Sequence, residues 1–148
     1  MGQLQRDEGQ VPEILFSIQY NATEGTLTTH IERLKNLLPD TKSVLIQLRH
    51  LDGSFLADAK EGEFLAEGRP DGLLDLRLSL VSECRKVKKA GVSIQVWRNG
   101  DKGTGSKLGG VLVGGGLSTG RQLAHWKQAI HTPGAPALGW HPLTRPIS

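Results

Sequence analysis

Apolar and polar residues alternate over short stretches of this chain, the pattern of strands that bury one face and wet the other. The alternation is clearest over residues 92–97, where Val92, Ile94 and Val96 share one side and Ser93 and Gln95 the other. A second apolar run occupies residues 108–113, beyond a glycine-rich interval at 98–107. Both runs have the length of a sandwich strand, and Val, Ile and Trp are strand-forming types. They predict a central pair of strands whose connecting loop carries the functional question.

Taken in order, residues 1–10 are polar and predict a tail or linker, and residues 13–20 (EILFSIQY) predict the first strand. Gly25 turns the chain into a second strand at 26–35, where Leu27, Thr29 and Ile31 alternate. Residues 39–42 break the pattern, and 43–50 resume it with Val44, Ile46 and Leu48. Asp52-Gly53 is a hairpin signal that leads to a return strand at 55–59. Residues 61–72, acidic and containing glycine, read as loop. Leu74, Leu76, Leu78 and Leu80 alternate with polar partners over 73–81, a half-buried strand. A basic connection at 82–91 precedes the central pair. Ser118 or Thr119 is placed to cap a helix running to about His131, with Leu123, Trp126, Ala129 and Ile130 at helical spacing, and Pro133 stops it. Residues 137–143 read as a last strand. Eight strands with one late helix predict an all-β domain.

Composition narrows the class. At 148 residues the chain fits one domain with its own core, and nineteen glycines with seven prolines suit many short turns. A net charge of +3 lacks the Lys and Arg density of a nucleic-acid binder, while permitting contact with anionic membranes or acidic proteins. Cys84 is the only cysteine, so no intrachain disulfide forms and a reducing compartment is expected. No apolar run approaches the ~20 residues of a membrane-spanning helix. Residues 1–10 lack a signal peptide's apolar stretch, and Arg6 stands where myristoylation after Gly2 wants Ser or Thr. The expectation is a soluble chain.

Candidate chemistry is sparse. Residues 100–107 (GDKGTGSK) look like a phosphate loop, but that motif places Lys before Ser or Thr and opens a helix, whereas here Ser106 precedes Lys107 and a strand follows. A nucleotide- or phosphate-binding enzyme is therefore the remote alternative. Five histidines have no motif placing a nucleophile beside a base, and they read as surface or framework residues. Arg85, Lys86 and Lys88 beside Cys84 would suit a low-pKa thiol; the competing reading is an incidental cysteine. Arg85, Lys86, Lys88 and Lys89, with Arg98, Lys102 and Lys107, are candidates for a basic lipid-binding rim; the alternative is a solvated charged face. Trp126 and Trp140 read as anchors holding the helix and last strand to the sandwich.

Several words in the chain resemble the second C2 domain of the synaptotagmin family. His125-Trp126, then Pro133 and Pro136, then Trp140-His141-Pro142-Leu143 match the family's His-Trp, Pro-x-x-Pro and Trp-His-x-Leu. Further matches are residues 13–20 with Gly25-Thr26-Leu27, Lys35-Asn36-Leu37, and Leu108-Gly109 through Val113-Gly114. The resemblance covers residues 11–143 and is thinnest over 39–82. It implies an eight-stranded antiparallel Greek-key β-sandwich, a C2 domain at 11–144 with one α-helix before the last strand, between tails at 1–10 and 145–148. It also implies work in vesicle traffic and exocytosis at the cytosolic face of a membrane. Partners would be trafficking proteins or acidic phospholipids, and Trp140, His141 and Leu143 would be protein-contact candidates.

Departures from the family pattern redirect the expectation. The family's calcium-holding aspartates fall on Arg98, Gly100 and Ser106, and the shortened first loop at 38–42 keeps only Asp40. With Asp40 and Asp101 as the acidic candidates, calcium, which wants six to eight oxygens, is not expected. The family's lysine-rich strand falls on 54–60, where only Lys60 keeps the charge, and its late arginine pair is replaced by Gly134 and Ala135. The sequence thus predicts a calcium-independent C2 module that acts by protein–protein interaction. It would have no catalytic residues, no metal and no cofactor, with weak electrostatic membrane binding as the alternative.

Overall fold

Eight strands, one 3-10 turn and one α-helix form among the residues that the computed structural model describes, namely 11–53, 55–66, 72–98, 106–116 and 118–144. In chain order they are β1 (Glu13–Asn21), β2 (Thr26–Lys35), β3 (Ser43–Asp52), β4 (Phe55–Leu65), β5 (Leu74–Glu83), the 3-10 turn (Val87–Lys89), β6 (Ala90–Arg98), β7 (Ser106–Gly114), α1 (Gly120–His131) and β8 (Ala137–Pro142). One sheet has the order β5-β2-β1-β8 and the other β4-β3-β6-β7. All pairs are antiparallel. The chain crosses between sheets after β2, β4, β5 and β7, the Greek-key habit of a sandwich. The alternation and the late helix predict the eight strands of an all-β domain, and the Greek-key sandwich is what the resemblance implies.

The core lies between the sheets because period-2 patterning gives each strand one apolar side. Ile14, Phe16 and Ile18 of β1, with Leu76, Leu78 and Leu80 of β5, face Val44, Ile46 and Leu48 of β3 and Val92, Ile94 and Val96 of β6, and all are buried. β2 keeps Leu27, Thr29 and Ile31 inward and then buries Leu34. Glu32 is an extra residue against β1, and this bulge returns Leu34 to the buried face, while on the other side the two residues Leu76 and Arg77 of β5 stand opposite Glu32 alone. His50 is a polar member of the core. Its Nδ1 lies 2.8 Å from Ser82 Oγ on β5 and its Nε2 2.9 Å from Thr29 Oγ1 on β2, so it ties the two sheets together.

Two local expectations change. The return strand does not stop at residue 59, because β4 continues to Leu65 through half of the expected loop at 61–72. It is an edge strand whose residues 55–61 are all exposed, so no buried face marks it in the sequence. Ala57 is an extra residue opposite the step from His50 to Leu51, and it bends this edge. At the helix, Thr119 occupies the N-cap position but makes no side-chain cap. The Ser118 hydroxyl instead donates to the Gly114 carbonyl at 3.0 Å and accepts from the Gly114 N–H at 3.1 Å, fixing the exit of β7. The helix ends at His131, two residues before Pro133. The expected tails at 1–10 and 145–148 lie outside the described residues.

Candidate functional site

β3 and β6 pair with Val44 opposite Arg98 and Asp52 opposite Ala90, so Arg98 ends β6 beside the short connection from β2 to β3. There the Arg98 guanidinium Nη1 stands 3.3 Å from the Asp40 carboxylate. The arginine side chain is 22 % exposed and the aspartate 75 %, so the cation leans inward and the carboxylate faces water. Arg98 Nε is buried and has no hydrogen-bond partner among the described residues. Calcium needs several convergent carboxylate oxygens. Here the Asp40 carboxylate is already engaged by a positive charge. Asp101 and Lys102 lie outside the described residues. Among the described residues no group of three or more His, Cys, Asp or Glu is placed to hold a metal ion.

Lys107 lies on the outer face of the β4-β3-β6-β7 sheet, with its Nζ 5.3 Å from the centre of the Trp97 ring opposite it. Gln47, Arg49 and Gln95 complete a shallow depression around that pair. The residues that follow the glycine-rich interval form strand β7, so no helix N-terminus stands there to cradle a phosphate.

Arg85, Lys86, Lys88 and Lys89 sit at the other end of the sandwich. They lie on the connection from β5 to β6 and are exposed. Eight strand steps separate Ala90 from Arg98, about 26 Å at 3.3 Å per residue. The single basic rim expected from the sequence is therefore two separate groups, one at each end of β6. Arg85 Nη2 is paired with Glu83 at 3.2 Å. Cys84, beside this basic stretch, is 3 % exposed, and burial with the nearby Asp52 charge pushes its thiol up to about 11. The neighbouring cations do not activate it, because their side chains point to water while the thiol points to the core.

The protein-contact candidates divide as well. His141 and Leu143 are 1 % and 3 % exposed and present no surface to a partner, a correction to the sequence expectation. Trp140 is half-buried, with Lys35 Nζ 4.3 Å over its ring. Trp126 is buried, as an anchor should be, whereas Trp140 anchors only in part.

His141 belongs to a buried arrangement that the sequence does not announce. Its Nε2 lies 2.7 Å from His125 Nδ1, the two rings stack 4.9 Å apart, and Phe16 packs against both at 5.2 Å. His125 Nε2 is 2.6 Å from the Ala137 carbonyl, which only accepts, so that nitrogen donates. His125 Nδ1 must then accept from His141 Nε2–H, leaving a lone pair on His141 Nδ1, which has no partner among the described residues. Burial lowers the pKa of both rings, that of His141 to about 4 with help from the His125 and Arg121 charges. The pair is neutral at physiological pH. It latches α1 onto β8, and Gly139 makes room for it, since a Cβ there would lie 3.3 Å from His125 Nδ1. The one available signal is that the two histidines fall in the His-Trp and Trp-His words.

The described elements have the eight-stranded sandwich fold of a C2 domain. Among characterised proteins the chain is similar to synaptotagmin-12 of mouse and of rat, each 26 % identical over 144 residues and covering 91 % of this chain. It spans about a third (32 %) of the length of those relatives. No family model matches the chain. Solved structures with the same fold include a C2 domain of the Drosophila protein RIM, at TM-score 0.63 and 9 % identity over 90 % of this chain and 98 % of that one. The first C2 domain of human synaptotagmin XIII superposes with TM-score 0.57 and 15 % identity over 90 % of this chain and 87 % of that one. Among the described residues no helix is long and apolar enough to cross a membrane.

Proposed function

We propose that this domain is a calcium-independent C2 module that binds protein partners in membrane traffic, at the cytosolic face of a membrane, without catalysing a reaction. The observation that carries this reading is the ion pair of Arg98 with Asp40, which puts a cation where the resemblance places a calcium-binding aspartate. A fixed guanidinium raises the electrostatic energy of a divalent ion beside it and occupies the Asp40 carboxylate. The similarity to synaptotagmin-12 supports the trafficking context. The test is capture of partners by the purified domain in calcium and in chelator, followed by reconstitution with each purified candidate. Equal affinity under both conditions is expected. Binding that appears only with calcium overturns the reading.

A second reading, weak electrostatic attachment to acidic phospholipids, is favoured by the exposed group Arg85, Lys86, Lys88 and Lys89. Each basic residue near an anionic surface contributes about 1 kcal/mol, screened by salt. Co-sedimentation with phosphatidylserine vesicles should then fade as salt rises and fall steeply when these four become Ser. Arg98 contributes less because Asp40 already neutralises it, and Lys107 marks the alternative contact near the far end.

A further inference from the structure

The net charge of +3 conceals a division along the chain. Residues 85–148 hold ten Lys and Arg against one carboxylate, Asp101, whereas residues 1–84 hold eight against fourteen. The basic part builds β6, β7, α1 and β8. Helix α1 itself, GRQLAHWKQAIH, contains no acid.

A cleft of about 190 Å³ opens between α1 and the 3-10 turn. Its walls are the apolar side chains of Val87, Leu123 and Ile130, over the buried indole of Trp126. Lys88, Lys127 and His131 stand at its rim, and all three are exposed. Gly115 brings the walls together, because a Cβ there would collide with the Lys88 carbonyl and lie 3.1 Å from Trp126 Nε1. Glu83, the acid just before the turn, is held by Arg85. The cleft is thus apolar at its base and cationic around its edge.

We propose that this cleft docks an acidic amphipathic segment of a partner protein, which inserts one Leu- or Met-sized side chain between α1 and the turn while its carboxylates meet Lys88 and Lys127. The proposal deepens the protein-interaction reading and rests on it. A bilayer is a poorer fit. Its flat surface would reach the lysine tips and leave the concave apolar base unfilled, whereas a peptide fills both.

The test titrates the intact domain with a short synthetic peptide carrying Leu between glutamates, followed by anisotropy and by nuclear magnetic resonance. The expected result is saturable binding that shifts the Trp126 indole N–H and the Ile130 methyl signals and weakens as salt rises from about 0.05 to 0.15 M. Replacing the peptide's Leu by Ser, or its Glu residues by Lys, should abolish it. The variant Lys88→Glu/Lys127→Glu, altered only at exposed positions, should lose at least about tenfold in affinity, because reversing rim charges opposes an acidic partner. No binding of the acidic peptide, equal binding of the Ser peptide, or shifts confined to Trp97 and its neighbours would each overturn the proposal. So would phosphatidylserine vesicles that displace the peptide while moving the same signals, which would assign the cleft to lipid. If the double variant still captures a calcium-independent partner at full affinity, the cleft is refuted and the interaction reading stands. If no surface captures any partner, the interaction reading falls with it.

Discussion

Arg98 and Asp40 meet at 3.3 Å across the gap between β6 and the connection from β2 to β3, with the guanidinium largely covered and the carboxylate largely in water. A pair this exposed adds at most about 1 kcal/mol to stability. Its importance is occupancy, since a positive charge on a strand end is held against the acidic group that a divalent ion would need. The first prediction is calcium indifference. Millimolar calcium should leave the melting temperature unchanged and give no heat in calorimetry. A saturable calcium-induced rise in melting temperature, removed by Asp40→Asn or Asp101→Asn, would contradict it.

Trp126 and Trp140 should separate under alanine substitution. Trp126 is buried, and its truncation should cost about 3–5 kcal/mol in urea unfolding. Trp140 is half-buried and its cation contact with Lys35 is near the surface, so Trp140→Ala should cost distinctly less. Equal losses, or an unchanged midpoint for Trp126→Ala, would show that the helix is not pinned by the indole.

Stability should fall in mild acid for an identifiable reason. Burial holds His50 and His141 at about 4 in the fold against 6.5 in the unfolded chain, the Asp58 charge offsetting part of the effect at His50. The folded pKa is the lower one, so both groups favour the fold fully above pH 6.5. That contribution is lost as pH falls from 6.5 towards 4, where the unfolded chain binds protons that the fold refuses. Each site accounts for up to roughly 3 kcal/mol. Urea midpoints at neutral pH and near pH 5 should therefore differ, and His50→Gln should flatten the difference.

Cys84 should be inert in the folded domain. The thiol is covered and its pKa is raised to about 11, so little thiolate exists and little reagent reaches it. Reaction with an aromatic disulfide reagent should run at the rate of unfolding and become immediate in denaturant. Rapid labelling of the native domain would mean that the connection after β5 opens readily.

The strands with one buried face are legible in the sequence to within a few residues, because period-2 alternation reports burial directly. β2 is bounded correctly even though the Glu32 bulge shifts its phase before Leu34. β4 is cut short because nothing on an exposed edge alternates between core and water. The site is less legible than the fold. Arg98 and Asp40 can each be singled out from sequence, but their contact depends on β3 pairing with β6, and the two residues stand 58 positions apart in the chain. The basic residues can be found by composition, yet their separation into two groups follows from β6 lying between them. The histidine latch escapes because His125 and His141 stand 16 positions apart, one on α1 and the other on β8, and only the packing of that helix on that strand brings them together.

Ala57 also bears on how the molecule tolerates crowding. β4 exposes Phe55, Leu56 and Leu65 along an unpaired edge, at 76, 57 and 78 %. Flat and apolar, such an edge would template the same strand of another molecule and start a fibril. The inserted alanine throws the two halves of β4 out of phase, so that Phe55 projects to the side opposite Leu65. Lys60 at its middle would also oppose its own copy. The protection against aggregation thus combines the Ala57 bulge with the charge of Lys60, and deleting Ala57 would straighten the edge and leave only the charge.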